Sequence, residues 1–211
     1  MNIKTRRLFW PLQLIKMVAR GNSYLYRTGW VESVQRGYPC RANGEIIPWM
    51  NYPVIDLLEQ RLTSDLSLFE FGSGFSTRFY AQRVGHVHSV EYDRGWFEQV
   101  RLDAPDNVKL LFRERDEDGR YCRTITESGD RYDVVIVDGR DRVNCLKQSL
   151  TCLSDRGVIV LDDSERPHYQ AAFSEARRHG FRVLDIEGLK PTKLKPARTA
   201  LFYRDRNCLG L

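Results

Sequence analysis

Apolar residues in this chain fall into two alternating rhythms. Short runs rich in β-branched and aromatic residues recur at 66–71, 87–91, 108–112, 132–138 and 157–161. The clearest is Tyr132-Asp133-Val134-Val135-Ile136-Val137-Asp138, whose unbroken apolar centre predicts a strand buried on both faces. Between these runs apolar positions return at helical spacing over 76–84, 96–102, 143–153 and 167–179, with a shorter helix near 121–126. Strands separated by helices predict a doubly wound α/β fold, a mostly parallel sheet with helices on both faces. The last two runs, 181–186 and 200–203, are joined by a loop with no helical pattern. An antiparallel hairpin suits that connection and makes a seven-stranded sheet with a reversed edge strand.

Ahead of the first strand the pattern changes. Residues 24–48 are punctuated by Gly29, Gly37, Pro39, Asn43-Gly44 and Pro48, with Tyr24, Tyr26, Trp30 and Tyr38 among them. They predict an irregular lid, so the chain divides into an N-terminal arm over 1–48 and one α/β domain over 49–211. Trp30 or Tyr38 is expected to reach the cleft of that domain. Asn51 is placed to cap a helix that has Pro53 in its first turn, with Val54, Ile55, Leu57, Leu58 and Leu62 as its apolar stripe. At the very start, Lys4, Arg6, Arg7, Lys16 and Arg20 interleave with Leu8, Phe9, Trp10, Leu12, Leu14, Ile15, Met17 and Val18. The apolar stretch is too interrupted for a secretory signal and too short for a membrane span. It suits a helix docked on the domain or on a second copy, or a peripheral position at a membrane face.

In open parallel sheets ligands bind beyond the carboxyl ends of the strands, where strand order reverses. Each of the five central strands predicted here leads into acid at that end. The first ends at Glu70 and continues into Gly72-Ser73-Gly74-Phe75-Ser76-Thr77. The second ends at Glu91-Tyr92-Asp93, the third leads to Asp116, the fourth ends at Asp138 and the fifth at Asp162-Asp163. Gly72 and Gly74 let a ligand approach bare backbone, and the amides from Ser73 to Thr77 open a helix towards an anionic group. Glu91 stands where a carboxylate would accept both hydroxyls of a ribose. A dinucleotide fits poorly, because Thr77 takes the third glycine position of its fingerprint and Glu70 would repel a pyrophosphate. A ligand with a ribose and a positive end, such as S-adenosylmethionine, fits better, with Glu70 on its ammonium side.

Glu70-Phe71-Gly72-Ser73-Gly74-Phe75-Ser76, then Ser89-Val90-Glu91, then the run from Tyr132 to Asp138, resemble the class I S-adenosylmethionine-dependent methyltransferases over about residues 52–204. Ser76 departs from the third glycine frequent in that family. The resemblance implies a Rossmann-like fold, S-adenosylmethionine as cofactor, and cofactor contacts from Glu70, Gly72, Ser73, Gly74, Ser76, Thr77, Glu91, Tyr92, Asp116 and Asp138. It places an active-site role at Asp138; apart from the resemblance, His168, just past the strand-end loop of Asp162 and Asp163, is a candidate general base, with a surface histidine in a first helical turn as its alternative. Asp138, Asp162 and Asp163 are also laid out similarly to metal-dependent O-methyltransferases, which implies a divalent ion, magnesium, as one option. Two other readings stay open: aminopropyl transfer, since polyamine synthases share the sheet and the strand-four text, and a non-catalytic subunit that only binds the cofactor.

Charge and cysteine usage narrow the partners. The formal charge is +5, but acids and bases mix beyond the N-terminus, which disfavours nucleic acid. Arg140, Arg142 and Arg166 flank the expected mouth and suit a small-molecule or glycan acceptor bearing phosphate or carboxylate. Salt bridges to Asp141 and Glu165 are their alternative use. Five cysteines without a CxxC pair argue against a disulfide scaffold and for a reduced, cytoplasmic protein, with a peripheral place at the inner membrane face as the variant. A homo-oligomer is compatible with all of this.

Overall fold

A computed structural model describes residues 10–18 and 20–211. Its sheet is built from β1 (Ser67–Phe71), β2 (His86–Glu91), β3 (Val108–Phe112), β4 (Tyr132–Val137), β5 (Leu153–Asp162), β6 (Arg182–Leu189) and β7 (Pro196–Tyr203). The order across the sheet is β3-β2-β1-β4-β5-β7-β6. The pairings from β3 through β5 are all parallel, while β7 runs antiparallel to both β5 and β6. The reversed strand is therefore β7, slotted between β5 and the outermost β6.

Helices α1 (Trp10–Val18), α2 (Tyr24–Arg27), α3 (Trp30–Arg36) and α4 (Tyr52–Arg61) precede the sheet. Helices α5 (Phe75–Ala81), α6 (Arg94–Leu102), α7 (Arg120–Glu127), α8 (Arg142–Ser149) and α9 (Gln170–Arg178) alternate with its strands. Two cores result, one per face. Phe69, Phe71, Val135, Val137, Ile159 and Leu161 pack with α7, α8 and α9. Leu68, Val134, Ile136, Val158 and Val160 pack with α4 and α5. The two-residue period of a strand carries the second face straight into the site. Leu68 is followed two residues on by Glu70, Ile136 by Asp138, and Val160 by Asp162.

Three local expectations are corrected. The 24–48 arm is not irregular: it holds two short helices, because Gly29 and Gly37 are left-handed caps of α3 at φ of 88° and 76°. Residues that read as turn punctuation are there helix boundaries. The helix predicted to reach Leu153 stops at Ser149, and β5 begins at Leu153, whose pairing with β4 shifts register beyond Tyr132. The segment opened by Pro167 starts as a 3-10 turn, Pro167–Tyr169, before α9.

Asn51 caps α4 as expected: its side-chain oxygen accepts from the Val54 amide at 3.1 Å. The arm is fastened to the domain by ion pairs between largely covered arginines and partly exposed acids. Arg41 reaches Asp56 and Glu59, and Arg83 reaches Glu45 and Glu59, all within 2.9 Å. Among the described residues no helix is long and apolar enough to cross a membrane. The basic segment expected at the start falls partly outside the described residues; the described part, α1, buries none of its side chains.

Candidate active site

The loops after β1 and β4 diverge, one towards β2 and the other towards β5, and open a crevice between them. They touch at their glycines. Gly72 has φ of 92°, and a Cβ there would lie 2.7 Å from the Gly139 backbone. Only glycine meets both demands. Gly74 is extended, and a Cβ on it would meet the Trp96 indole at 3.4 Å. That indole donates to the Ser73 carbonyl at 2.8 Å, so α6 buttresses the loop from outside.

Glu70 lies beneath the loop and is fully buried. Its carboxylate accepts from the hydroxyls of Ser76 at 2.5 Å, Thr77 at 2.5 Å and Ser89 at 2.6 Å. Thr77 Oγ1 also accepts from the Gly74 amide at 2.9 Å. This explains why hydroxyl residues stand where glycine is frequent: they tie the loop to a buried acid. Burial pushes the Glu70 carboxyl up to about 7, against the three hydroxyls that favour its ionised form. In this geometry Glu70, Ser76 and Thr77 shape the loop, with their polar atoms bound to one another.

A cleft of about 690 Å³ opens above the glycines. Gly72, Glu91, Tyr92, Asp138 and Gly139 line it. Glu91 is almost wholly buried and accepts from the amides of Tyr92 and Asp93 at 2.8 Å each; burial raises its carboxyl. The Tyr92 hydroxyl accepts from Arg140 Nε at 3.1 Å. A smaller cavity of about 230 Å³ lies on the far side of Trp96, away from the strand-end acids.

A second cleft, about 740 Å³, adjoins the first. Asp138 and Arg166 line both. Around Asp138 the acids and bases interlock. Arg142, nearly buried, donates to Asp138 Oδ1 at 2.9 Å and to the carbonyls of Asp138, Gly139 and Asp162. Lys190 Nζ lies 2.5 Å from both Asp162 Oδ2 and Asp163 Oδ1. Arg166 pairs with Asp163. Thr199 donates to Asp162 and accepts from Asn51, at 2.8 and 2.9 Å, which links the cluster to the cap of α4. Burial and the charge of Asp162 raise the Asp138 carboxyl, and Arg142 and Lys190 pull it back. Its side chain keeps 22% of its surface exposed, so the rise is smaller than full burial would impose. Burial also works against ionised Asp163, but Lys190, Arg142 and Arg166 hold that carboxyl below its ordinary range.

Several expected residues stand elsewhere. Asp116 is exposed and caps α7 by accepting from the Arg120 and Tyr121 amides at 2.6 and 3.0 Å; it lines neither cleft. His168 is exposed, lies edge-on to Tyr169 and lines neither cleft. Arg142 and Arg166 pair with the site's own acids, not with Asp141 and Glu165. The magnesium reading does not fit this donor set. Asp138, Asp162 and Asp163 already share Arg142 and Lys190, and the described residues hold no acid, histidine or cysteine group shaped for a metal. Lys190 was not legible as a site residue: it directly precedes Pro191 in a loop it shares with Lys193 and Lys195, where every lysine reads as solvated. Trp30 lines the second cleft, together with Trp49; Tyr38 instead stacks on Phe75, with ring centres 5.6 Å apart.

No protein-family model matches the chain, and no curated protein matches it. Solved structures do. A precorrin-6y C5,15-methyltransferase from Geobacter metallireducens is 17% identical with a TM-score of 0.53, covering 72% of this chain and 87% of that one. A Streptococcus mutans protein solved in complex with SAH is 15% identical with a TM-score of 0.52, covering 71% and 94%. Spermidine synthase from Thermotoga maritima is 12% identical with a TM-score of 0.53, covering 72% of this chain and 57% of that one. With this strand order and its reversed β7, the chain has the fold of the class I S-adenosylmethionine-dependent methyltransferases.

Proposed function

We propose that the chain is a methyltransferase that moves a methyl group from S-adenosylmethionine to a hydroxyl oxygen of a small anionic molecule or sugar. The observation that carries this reading is the position of Asp138, the carboxylate shared by two adjoining clefts. The first cleft suits the cofactor. Its volume lies in the range of small-molecule sites, Gly72 leaves room for close approach to backbone, and Glu91 stands at the end of β2 to accept ribose hydroxyls. Bound there, S-adenosylmethionine supplies a methyl carbon already activated by its sulfonium. The protein then has to align the acceptor and take its proton. Asp138 is the proposed base, because its carboxyl is raised towards neutrality and it borders the space where an acceptor would stand. Arg142 orients it through Oδ1. Asp162 and Asp163 serve by holding Arg142 and Lys190.

The second cleft favours a small acceptor: it is a pocket walled by Trp30 and Trp49 and rimmed by Arg166, Lys193 and Lys195, not an extended basic face. The same cations would repel a polyamine, so aminopropyl transfer is the weaker reading although a spermidine synthase shares the fold.

Calorimetry with S-adenosylmethionine and SAH tests the first half: the folded protein should bind both. Transfer of labelled methyl to a panel of acidic hydroxy compounds tests the second. Asp138→Asn should abolish turnover while cofactor affinity stays within about tenfold, roughly 1.4 kcal/mol. A folded protein that binds neither cofactor form, or turnover that survives in Asp138→Asn, would sink the reading.

A further inference from the structure

One wall of the second cleft comes from neither the helices nor the strands of the α/β core. Trp30 Nε1 donates to the Lys193 carbonyl at 2.8 Å, and Trp49 Nε1 donates to the Pro191 carbonyl at 3.1 Å. Two indoles, Trp30 from the N-terminal arm and Trp49 from the start of the domain, thus hold the 190–195 loop by its backbone. Their N–H groups are spent on that contact, so what they offer the cleft is apolar ring surface. Leu194, 70% exposed, extends this surface.

The strapped loop also sorts its three lysines. Lys190 turns inward onto Asp162 and Asp163. Lys193 and Lys195 line the cleft, exposed, and have no carboxylate partner among the described residues. The result is an apolar wall beside two cations that have no ion-pair partner among the described residues, on a lining that also carries Glu165 and that Asp138 borders.

We propose that this wall is the acceptor-recognition site and that its ligand is a ring-bearing oxyanion. The ring lies on Trp30 and Trp49, and a carboxylate or phosphate on it is held by Lys193 and Lys195. An acidic sugar and an aromatic hydroxy acid both satisfy this chemistry. Indole surface accepts the apolar face of either ring, and the paired lysines reward the charge. A neutral ring leaves both cations without a counter-charge. Calling the ligand an acceptor rests on the methyl-transfer reading, but the site itself can be tested apart from it.

The full chain is titrated with glucuronate, glucose 6-phosphate and 4-hydroxybenzoate, and with the neutral glucose and 4-hydroxybenzamide. Tryptophan fluorescence and calorimetry report binding, with and without SAH. At least one anion should bind about tenfold tighter than its neutral counterpart, a 1.4 kcal/mol preference. The Lys193→Gln/Lys195→Gln double variant should lose that preference and keep its SAH affinity. Which pair shows the preference tells sugar from aromatic acid. Equal binding of anion and neutral compound in both pairs, no binding of any, or a preference that survives in the double variant overturns the proposal. If SAH fails to bind but the lysine-dependent preference persists, methyl transfer falls and this site stands; if SAH binds and the preference is absent, this site alone falls.

Discussion

The two clefts that meet at Asp138 are built in opposite ways. The floor of the glycine cleft is made by neighbours in sequence: Glu70, Ser76 and Thr77 close a loop of a few residues around Gly72 and Gly74. The tryptophan cleft is made by strangers, since Trp30 and Lys193 are 163 positions apart and Trp49 and Pro191 are 142 apart. In the first, shape follows from backbone geometry, and little side-chain chemistry is needed to make room for a ligand. In the second, shape follows from tertiary contacts, and the chemistry sits on side chains that such contacts bring together. A face shaped by local backbone and a face shaped by distant contacts thus share a single carboxylate, and the two should fail separately when disturbed.

The largest expected effect is on the tryptophan side. Lys190→Met leaves fully buried Asp162 without its ammonium partner and weakens Asp163 as well. Removing one member of a buried ion pair typically costs about 3–5 kcal/mol. The denaturation midpoint should fall accordingly, while Lys190→Arg recovers a large part of it. SAH affinity of the protein that remains folded should change little, because the glycine loop touches none of these groups. A loss under about 1 kcal/mol would show that Arg142 alone suffices to hold the acids.

On the glycine side the corresponding lever is pH. Glu70 ionises near 4.5 in an unfolded chain and at about 7 when folded. Between those values the unfolded chain has released the proton and the folded one has not, so rising pH weakens folding. The stabilisation is full below pH 4.5 and gone above about 7. From the size of the shift it amounts to about 3 kcal/mol. Glu70→Gln removes this titration, so the difference in stability between wild type and variant should change with that sign across the window. Other carboxyls titrate in both proteins and cancel. Parallel pH profiles for the two would mean that Glu70 stays ionised in the folded protein, held by Ser76, Thr77 and Ser89.

The same contrast explains what was legible in the sequence. Strand-end position led from the apolar runs to Glu70, Asp138 and Asp162, because ligands of an open parallel sheet bind beyond the carboxyl ends of its strands. The helix and strand order was legible as well, and Asn51 and Pro53 announced α4. What an acid touches is a different kind of fact. Nothing local distinguishes Asp116, which caps α7, from Asp138, which borders two clefts; both follow a strand and precede a helix. His168 looked poised only because the direction of a side chain in a 3-10 turn is unreadable from its neighbours. Lys190 is the converse case, a charge in a polar loop that becomes buried when β7 inserts beside β5 and folds the loop back.

The smallest predicted effect is also the one that isolates the strap. Trp30→Phe and Trp49→Phe each keep an apolar ring and delete one N–H to a loop carbonyl. A hydrogen bond of this kind contributes about 1 kcal/mol net, and less where water can replace it. The Trp30 bond is exposed and the Trp49 bond partly buried, so Trp49→Phe should cost more. Stability should drop by about 1 kcal/mol or less in either case. The sharper readout is functional. A loosened loop moves Lys193 and Lys195 out of register with the ring surface, which weakens acceptor binding before it touches the methyl-transfer step. KM for the acceptor should rise with kcat nearly unchanged, and SAH affinity should stay at the wild-type value. If SAH binding weakens together with acceptor binding, the strap reaches the glycine loop and the two clefts are one mechanical unit, contrary to the separation drawn above.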